Sequence, residues 1–386
     1  MNVSEKKSYS STSRTAPNNT KKVSSQQLND TIQHKKSQDR LHLDVQIELE
    51  SKFEPKKKQS LLLSESYMRL GYEHKALKVA DCGTFLEFAK YAVQSGGAKL
   101  LGSAESCAPT DSAFKLHNAN FCRDRLCPMC SWRRSYKIYS QVSQIMNVIA
   151  DKYVFLFLTL TVPNCTGDKL SSTITDINNS WNRLTGYKQF QNSVKGYFKA
   201  LEVTRNKKAD TYHPHLHNVL AVDKKYFKGK YISRDEWLSM WQKATRDNSI
   251  TQVDIRRAKQ KDIKNSVNAP DVSEQAQKAL SSAVAEIAKY AVKSADYIFD
   301  NSKKQTDKVV SVLTPALANR RLCSFGGVFE DARKSLMLDD CENGDLIHLD
   351  DNKMNSELAV QIFRYGWSAG AYKLIDISSP TESGVI

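Results

Sequence analysis

The sequence predicts an α+β domain with an antiparallel sheet at its centre and helices flanking it, and three observations carry that prediction. Residues 154–162 (VFLFLTLTV) form a short β-branched and aromatic run of the kind that fills a buried central strand. Residues 196–204 (GYFKALEVT) and 215–222 (HLHNVLAV) are two more strand-like runs, and the polar stretch 205–210 between them has hairpin character. Helical periodicity surrounds these runs, in the order strand, helix, strand, strand, helix, strand, helix.

Taken in chain order, residues 1–58 are rich in Ser, Lys, Gln, Asn and Thr and end in Lys56, Lys57 and Lys58, so they read as a disordered basic arm. Residues 59–150 carry helical patterns and a Cys-rich segment, and 136–151 is an amphipathic helix within them. In the stretch 151–300, helical patterning covers 170–191, and Ser233 with Glu236 forms a capping box ahead of SRDEWLSMWQKAT. A short strand at 251–255, a basic stretch and a long helix over 272–298 complete that domain, and 301–386 is an accessory C-terminal region containing RRLCSFGG.

The 386 residues are 40% hydrophobic and carry a formal net charge of +15. That charge implies an acidic partner, because Lys and Arg that neutralise phosphates release condensed counterions, and nucleic acid leads the candidates. The longest apolar run is far short of the roughly 20 residues that span a bilayer, and no hydrophobic signal core opens the chain, so a cytoplasmic protein without a membrane partner is expected.

The sharpest chemical signal is His213-Pro214-His215-Leu216-His217. Side chains alternate along a strand, so His215 and His217 share one face while Leu216 enters the core on the other. Two imidazoles on one sheet face are a ready-made pair of metal ligands. Glu202, between Leu201 and Val203 on a neighbouring strand, is a charged residue among core residues and the third candidate ligand. On the last helix, Glu286, Tyr290, Lys293 and Tyr297 fall into one stripe, which makes a poor core face. A tyrosine hydroxyl, with an ordinary pKa of about 10, attacks a phosphodiester poorly unless a cation polarises the phosphate and positive charge stabilises the phenolate. Lys293 can supply the second.

FLTLTVPN (157–164), EVT followed by YHPHLHNVLAV, YFKGKYISRDEWLSMWQKA and EIAKYAVKSADY together resemble the rolling-circle plasmid replication initiators of the HUH (His-hydrophobic-His) endonucleases. The resemblance runs over about 81–348. It implies an HUH-type nuclease domain that binds and nicks one strand at a plasmid origin and acts as a nickase-ligase. His215 and His217 would bind Mg²⁺ or Mn²⁺, Tyr290 would form a 5′-phosphotyrosine and leave a 3′-OH primer, and Glu286 would activate water to end the cycle. The implied partners are origin DNA presented as a hairpin or single strand, a host helicase and a DNA polymerase, with a homodimer left open. Some relatives carry two catalytic tyrosines four residues apart; here the next tyrosine is 297, which leaves Glu286 as the partner of Tyr290. The competing readings are a zinc-dependent DNA-binding regulator that does not cleave, and an HUH transposase or relaxase.

Cys122, Cys127 and Cys130 lie within nine residues, and in an intracellular chain this spacing favours Zn²⁺ over a disulfide framework. Cys82, in a DCGTFLEF segment that also looks like the family, is the preferred fourth ligand, ahead of Cys107 and His117. This structural zinc would staple a helical N-terminal segment. Arg123, Arg125, Arg133 and Arg134 surround the cysteines and suit phosphate contacts.

Overall fold

A helix stands where the sequence places the end of a solvated arm. The computed structural model describes residues 42–91, 113–229, 231–258, 292–349 and 359–378. The chain divides into a unit of residues 1–47, of which 42–47 are helical, and a body of residues 48–386. The body opens with a π-helical turn (Leu49–Phe53) that runs into α1 (Glu54–Arg69), followed by α2 (Glu73–Asp81). Lys57 is fully buried in α1, its Nζ 2.6 Å from the Ala80 carbonyl and 2.8 Å from that of Cys82. These are orphan carbonyls at the end of α2, so an ammonium read as part of a solvated arm caps a neighbouring helix.

The expected helical character of 59–150 holds only in part, because β1 (Phe85–Tyr91) and β2 (Ala113–Ala119) precede the long α3 (Pro128–Ile149). Next comes β3 (Tyr153–Thr161), the central strand expected from its apolar run. The helical stretch 170–191 is two helices, α4 (Leu170–Thr185) and α5 (Lys188–Ser193), because the chain turns at Gly186 and is extended at Tyr187. The hairpin is β4 (Val194–Asn206) and β5 (Thr211–Asp223). In its turn Asn206 Oδ1 accepts from the Lys208 and Ala209 amides, and Asp210 takes a left-handed φ of 50° and receives Arg205. Then follow α6 (Arg234–Thr245), opened by the Ser233–Glu236 capping box, and β6 (Val253–Arg257).

Residues 259–291, most of the expected long helix, lie outside the described residues. Its C-terminal part is not α-helical: Lys293 is extended at φ −72°, ψ 136°, and only a 3-10 turn (Ser294–Asp296) follows. The chain continues with α7 (Lys303–Leu317), β7 (Cys323–Gly327), α8 (Val328–Ser335), β8 (Ala359–Ser368) and β9 (Ala371–Ser378).

The central sheet has the order β6-β3-β5-β4-β7, with every neighbouring pair antiparallel. One face, with Leu158, Leu160, Leu201 and Leu216, is buried on the side of α4 and α6, whose Ile174, Ile177, Trp181, Trp237 and Trp241 are all at most 1% exposed. Trp241 Nε1 donates to the Thr161 carbonyl at 2.7 Å, which ties α6 to the end of β3. The opposite face carries the histidines.

A second antiparallel sheet, in the order β2-β1-β8-β9, joins strands from both ends of the body. Phe88 faces Phe363 across β1 and β8, and Arg364 Nε donates to Glu87 at 2.7 Å. The region read as accessory, 301–386, therefore completes two sheets: β7 borders the central one, and β8 and β9 build half of the other. Among the described residues no helix is long and apolar enough to cross a membrane.

Candidate active site and thiol cluster

Strand register builds the first site. β4 and β5 pair so that Glu202 faces His215 and Ala200 faces His217, while β3 sets Thr159 opposite His217. Glu202 Oε2 lies 2.9 Å from His217 Nε2 and 3.3 Å from His215 Nε2. All three side chains are buried, and their ligand atoms lie within 4.8 Å of one another. Each imidazole is oriented from behind: His215 Nδ1 is 3.1 Å from the His213 carbonyl, and His217 Nδ1 is 3.2 Å from Thr159 Oγ1.

The first of these contacts tests whether a cation fits. A carbonyl only accepts, so His215 Nδ1 carries the proton, and a neutral ring then turns the lone pair of Nε2 toward a carboxylate oxygen. Two acceptors face each other, and the contact requires a proton or a cation between them. Two imidazole nitrogens and a carboxylate oxygen are a donor set suited to a divalent ion. Burial works to raise the Glu202 pKa, but hydrogen bonds and charge from His215 and His217 outweigh it and hold the carboxyl well below the usual range.

Lys293 Nζ is 3.9 Å from the other oxygen, Glu202 Oε1, and its side chain is half exposed. It reaches the site from an extended residue and not from a helical stripe shared with Tyr297. Tyr297 is fully buried, and its hydroxyl donates to the Leu126 carbonyl, away from the histidines. Tyr290 and Glu286 lie outside the described residues. Thr159 went unnoticed in the sequence, although a threonine at alternate positions of an otherwise apolar strand was the available signal. Nearby, burial above all, with the charge of Glu202, holds the Asp296 carboxyl above the usual range against the pull of Lys207 and Lys293.

The second site is a thiol cluster. Cys82 ends α2, Cys122 follows β2, Cys127 is the N-cap of α3, and Cys130 sits in its first turn. Sulfur separations are 3.6 Å for Cys82–Cys130, 3.6 Å for Cys82–Cys127 and 3.7 Å for Cys122–Cys130. Four thiolates about 2.3 Å from one tetrahedral ion stand roughly 3.8 Å apart, so these spacings suit zinc. Backbone amides of Cys122, Arg123 and Asp124 point at cluster sulfurs, and Arg123 takes a left-handed φ of 59° to let the loop turn around them. His117, an alternative fourth ligand, stands instead 3.8 Å from Glu87, and Cys107 lies outside the described residues.

All four arginines near the cysteines, from which phosphate contacts were expected, meet partners within the protein. Arg134 is 2% exposed, with Nε on the Glu342 carbonyl, Nη1 on that of Asp124 and Nη2 on that of Arg123. Arg133 donates to the carbonyls of Leu346 and Ile347, Arg125 to Glu342 Oε2, and Arg123 to the Asn343 carbonyl. Together they fasten the 342–347 segment to α3 and the cysteine loop. The sequence cannot reveal this, because the 342–347 partners lie more than 200 residues away.

A family model described as replication protein matches residues 113–373, which include both histidines, Glu202 and three of the four clustered cysteines. The chain belongs to the rolling-circle plasmid replication protein (Rep) family. A protein rep from Bacillus amyloliquefaciens is 35% identical over 332 residues, covering 82% of this chain and 91% of that protein. One from a Bacillus species is 37% identical over 283 residues, 72% of this chain and 86% of that protein. One from Streptococcus pneumoniae is 33% identical over 307 residues, 78% of this chain and 83% of that protein. No solved structure matches this Rep protein. Rep proteins serve plasmid DNA replication, which agrees with the +15 charge of this one.

Proposed function

We propose that this Rep protein initiates rolling-circle replication as an HUH-type nickase. The observation that carries the reading is the Glu202 carboxylate set against Nε2 of both His215 and His217 on a buried sheet face. These three residues would hold Mg²⁺ or Mn²⁺, which polarises the scissile phosphate when bound. The Tyr290 hydroxyl attacks phosphorus, the bond to O3′ breaks, and the products are a 5′-phosphotyrosine and a protonated 3′-OH that primes a host polymerase while a helicase unwinds the duplex. Lys293 supplies positive charge to the phenolate or the phosphate. Glu286 activates water for the closing cleavage, so that no new covalent link forms there. Cys82, Cys122, Cys127 and Cys130 would hold a structural Zn²⁺.

Incubating the full chain with supercoiled origin DNA and Mn²⁺ tests this. A protein-linked 5′ end should map to Tyr290 by mass spectrometry. Tyr290→Phe should keep origin binding and lose both nicking and the adduct. An adduct that survives in Tyr290→Phe and disappears in Tyr297→Phe would overturn the assignment, and the buried hydroxyl of Tyr297 argues against that result. Glu286→Ala should nick at a near-normal rate yet give displaced strands longer than one plasmid unit; unit-length product in normal yield would remove the role of Glu286 as water-activating base.

A further inference from the structure

We infer that the loop after β5, together with the edge strand β6, is a stacking platform for an unpaired DNA strand. The inference rests on the nicking reading for the identity of its substrate. Tyr226 is buried and clamps the loop: its hydroxyl accepts from the Ile232 amide at 3.0 Å and donates to the Ile232 carbonyl at 3.3 Å. The clamp leaves two large aromatics outside. Phe227 is 41% and Tyr231 57% exposed, with ring centroids 6.0 Å apart and planes inclined by 32°.

Positive charge surrounds these rings. The Arg257 guanidinium lies 5.0 Å over the Phe227 ring, and Lys225 and Lys228 are exposed beside it. Residues 224–232 (KKYFKGKYI) include no acidic side chain. Adjacent exposed aromatics are a liability on a soluble surface unless a partner covers them. A partner that is both flat and anionic answers the rings and the cations together. Every base has a π-face whatever its identity, but only an unpaired strand offers that face, because a duplex hides it in the stack. The observations therefore favour a single strand over a duplex and over an apolar protein surface.

The location agrees. Among the described residues β6 is the outermost strand of the sheet, with Arg256, 3.5 Å from Asp254, on the histidine face and Arg257 on the other, so the two guanidiniums straddle that edge. Arg257 pairs with Leu156, three residues along β3 from the Thr159 that faces His217. Strand rise and spacing set that separation at roughly 14 Å. A strand whose phosphate sits at the histidines can pass over the β6 edge and lay a flanking base on Phe227.

Fluorescence anisotropy with a short fluorescein-labelled oligothymidylate, single-stranded or annealed to oligodeoxyadenylate, tests the platform on the full chain. The double variant Phe227→Ala/Tyr231→Ala should bind the single strand about 100-fold more weakly and the duplex within about 2-fold of the parent, as loss of two stacked bases implies. Phe227→Trp should keep single-strand affinity, and the emission of the added tryptophan should be quenched by oligothymidylate. Unchanged single-strand affinity in the double variant, or an equal loss on both probes, would overturn the inference. Binding is read without cleavage, so a parent protein that binds but never nicks refutes the nicking reading and leaves this test intact.

Discussion

His217→Ala is expected to reduce metal-dependent nicking by about 10³-fold, since a bound divalent ion contributes several kcal/mol of charge stabilisation to the transition state. The imidazole supplies one of the two nitrogens facing Glu202 Oε2, and its removal leaves that buried oxygen with His215 alone. His215→Ala should act alike. Both should spare most duplex affinity, which comes from lysines and arginines elsewhere. The neighbour separates ligation from support. Thr159→Val removes the hydroxyl behind His217 Nδ1 without touching Nε2, so it should weaken metal affinity by about 10- to 100-fold and be rescued by added Mn²⁺. Titrating nicking against Mn²⁺ checks all three, and normal cleavage by His217→Ala at low Mn²⁺ would dismiss the metal site.

Cys127→Ser is expected to abolish binding of the proposed zinc and to lower stability markedly. A structural zinc in a small finger contributes about 10–16 kcal/mol, which matches or exceeds the whole stability of a typical domain, about 5–15 kcal/mol. The loss would spread along identifiable contacts. Cys127 caps α3, and α3 carries Arg134, Lys137 and Gln141, which hold 339–345. Within that segment Glu342 Oε1 accepts the Leu322 and Cys323 amides, so the chain of contacts ends on β7 at the edge of the central sheet. A fall in melting temperature of roughly 10 °C or more follows from a loss of several kcal/mol in a body of this size. Metal analysis and a thermal scan check both halves, and native protein without stoichiometric zinc would remove the ion from this account.

The central sheet and its hairpin were legible because their signals are local. The run at 154–162, apolar except for Thr159 and Thr161, paired with alternating runs on either side of a polar turn, specifies three strands and the face of each side chain before any partner is known. The same alternation put Glu202 and both histidines on one surface. What local pattern could not show was pairing between distant segments. β1 reads FLEFAKY, buried through Leu86, Phe88 and Ala89 on both of its faces, so no period of two marks it as a strand. It becomes one because β2 pairs with one of its edges and β8, which begins more than 270 residues later, with the other.

The arginines teach the same lesson from the side of charge. A basic cluster beside cysteines in sequence looks like a phosphate site, yet Arg134 is buried against the Glu342 carbonyl and the part-buried Arg133 donates to the carbonyls of Leu346 and Ile347. Lys57 followed that pattern, an arm residue by composition and a helix cap by contact. Composition and periodicity report what each residue can do, and by themselves they gave the histidine face and the cysteine spacing, while the family followed from the resemblance of four ordered motif blocks. The tertiary structure alone decided which charges are solvated and which strands complete the sheets, because desolvation and long-range hydrogen bonding depend on neighbours that the chain meets only after it folds.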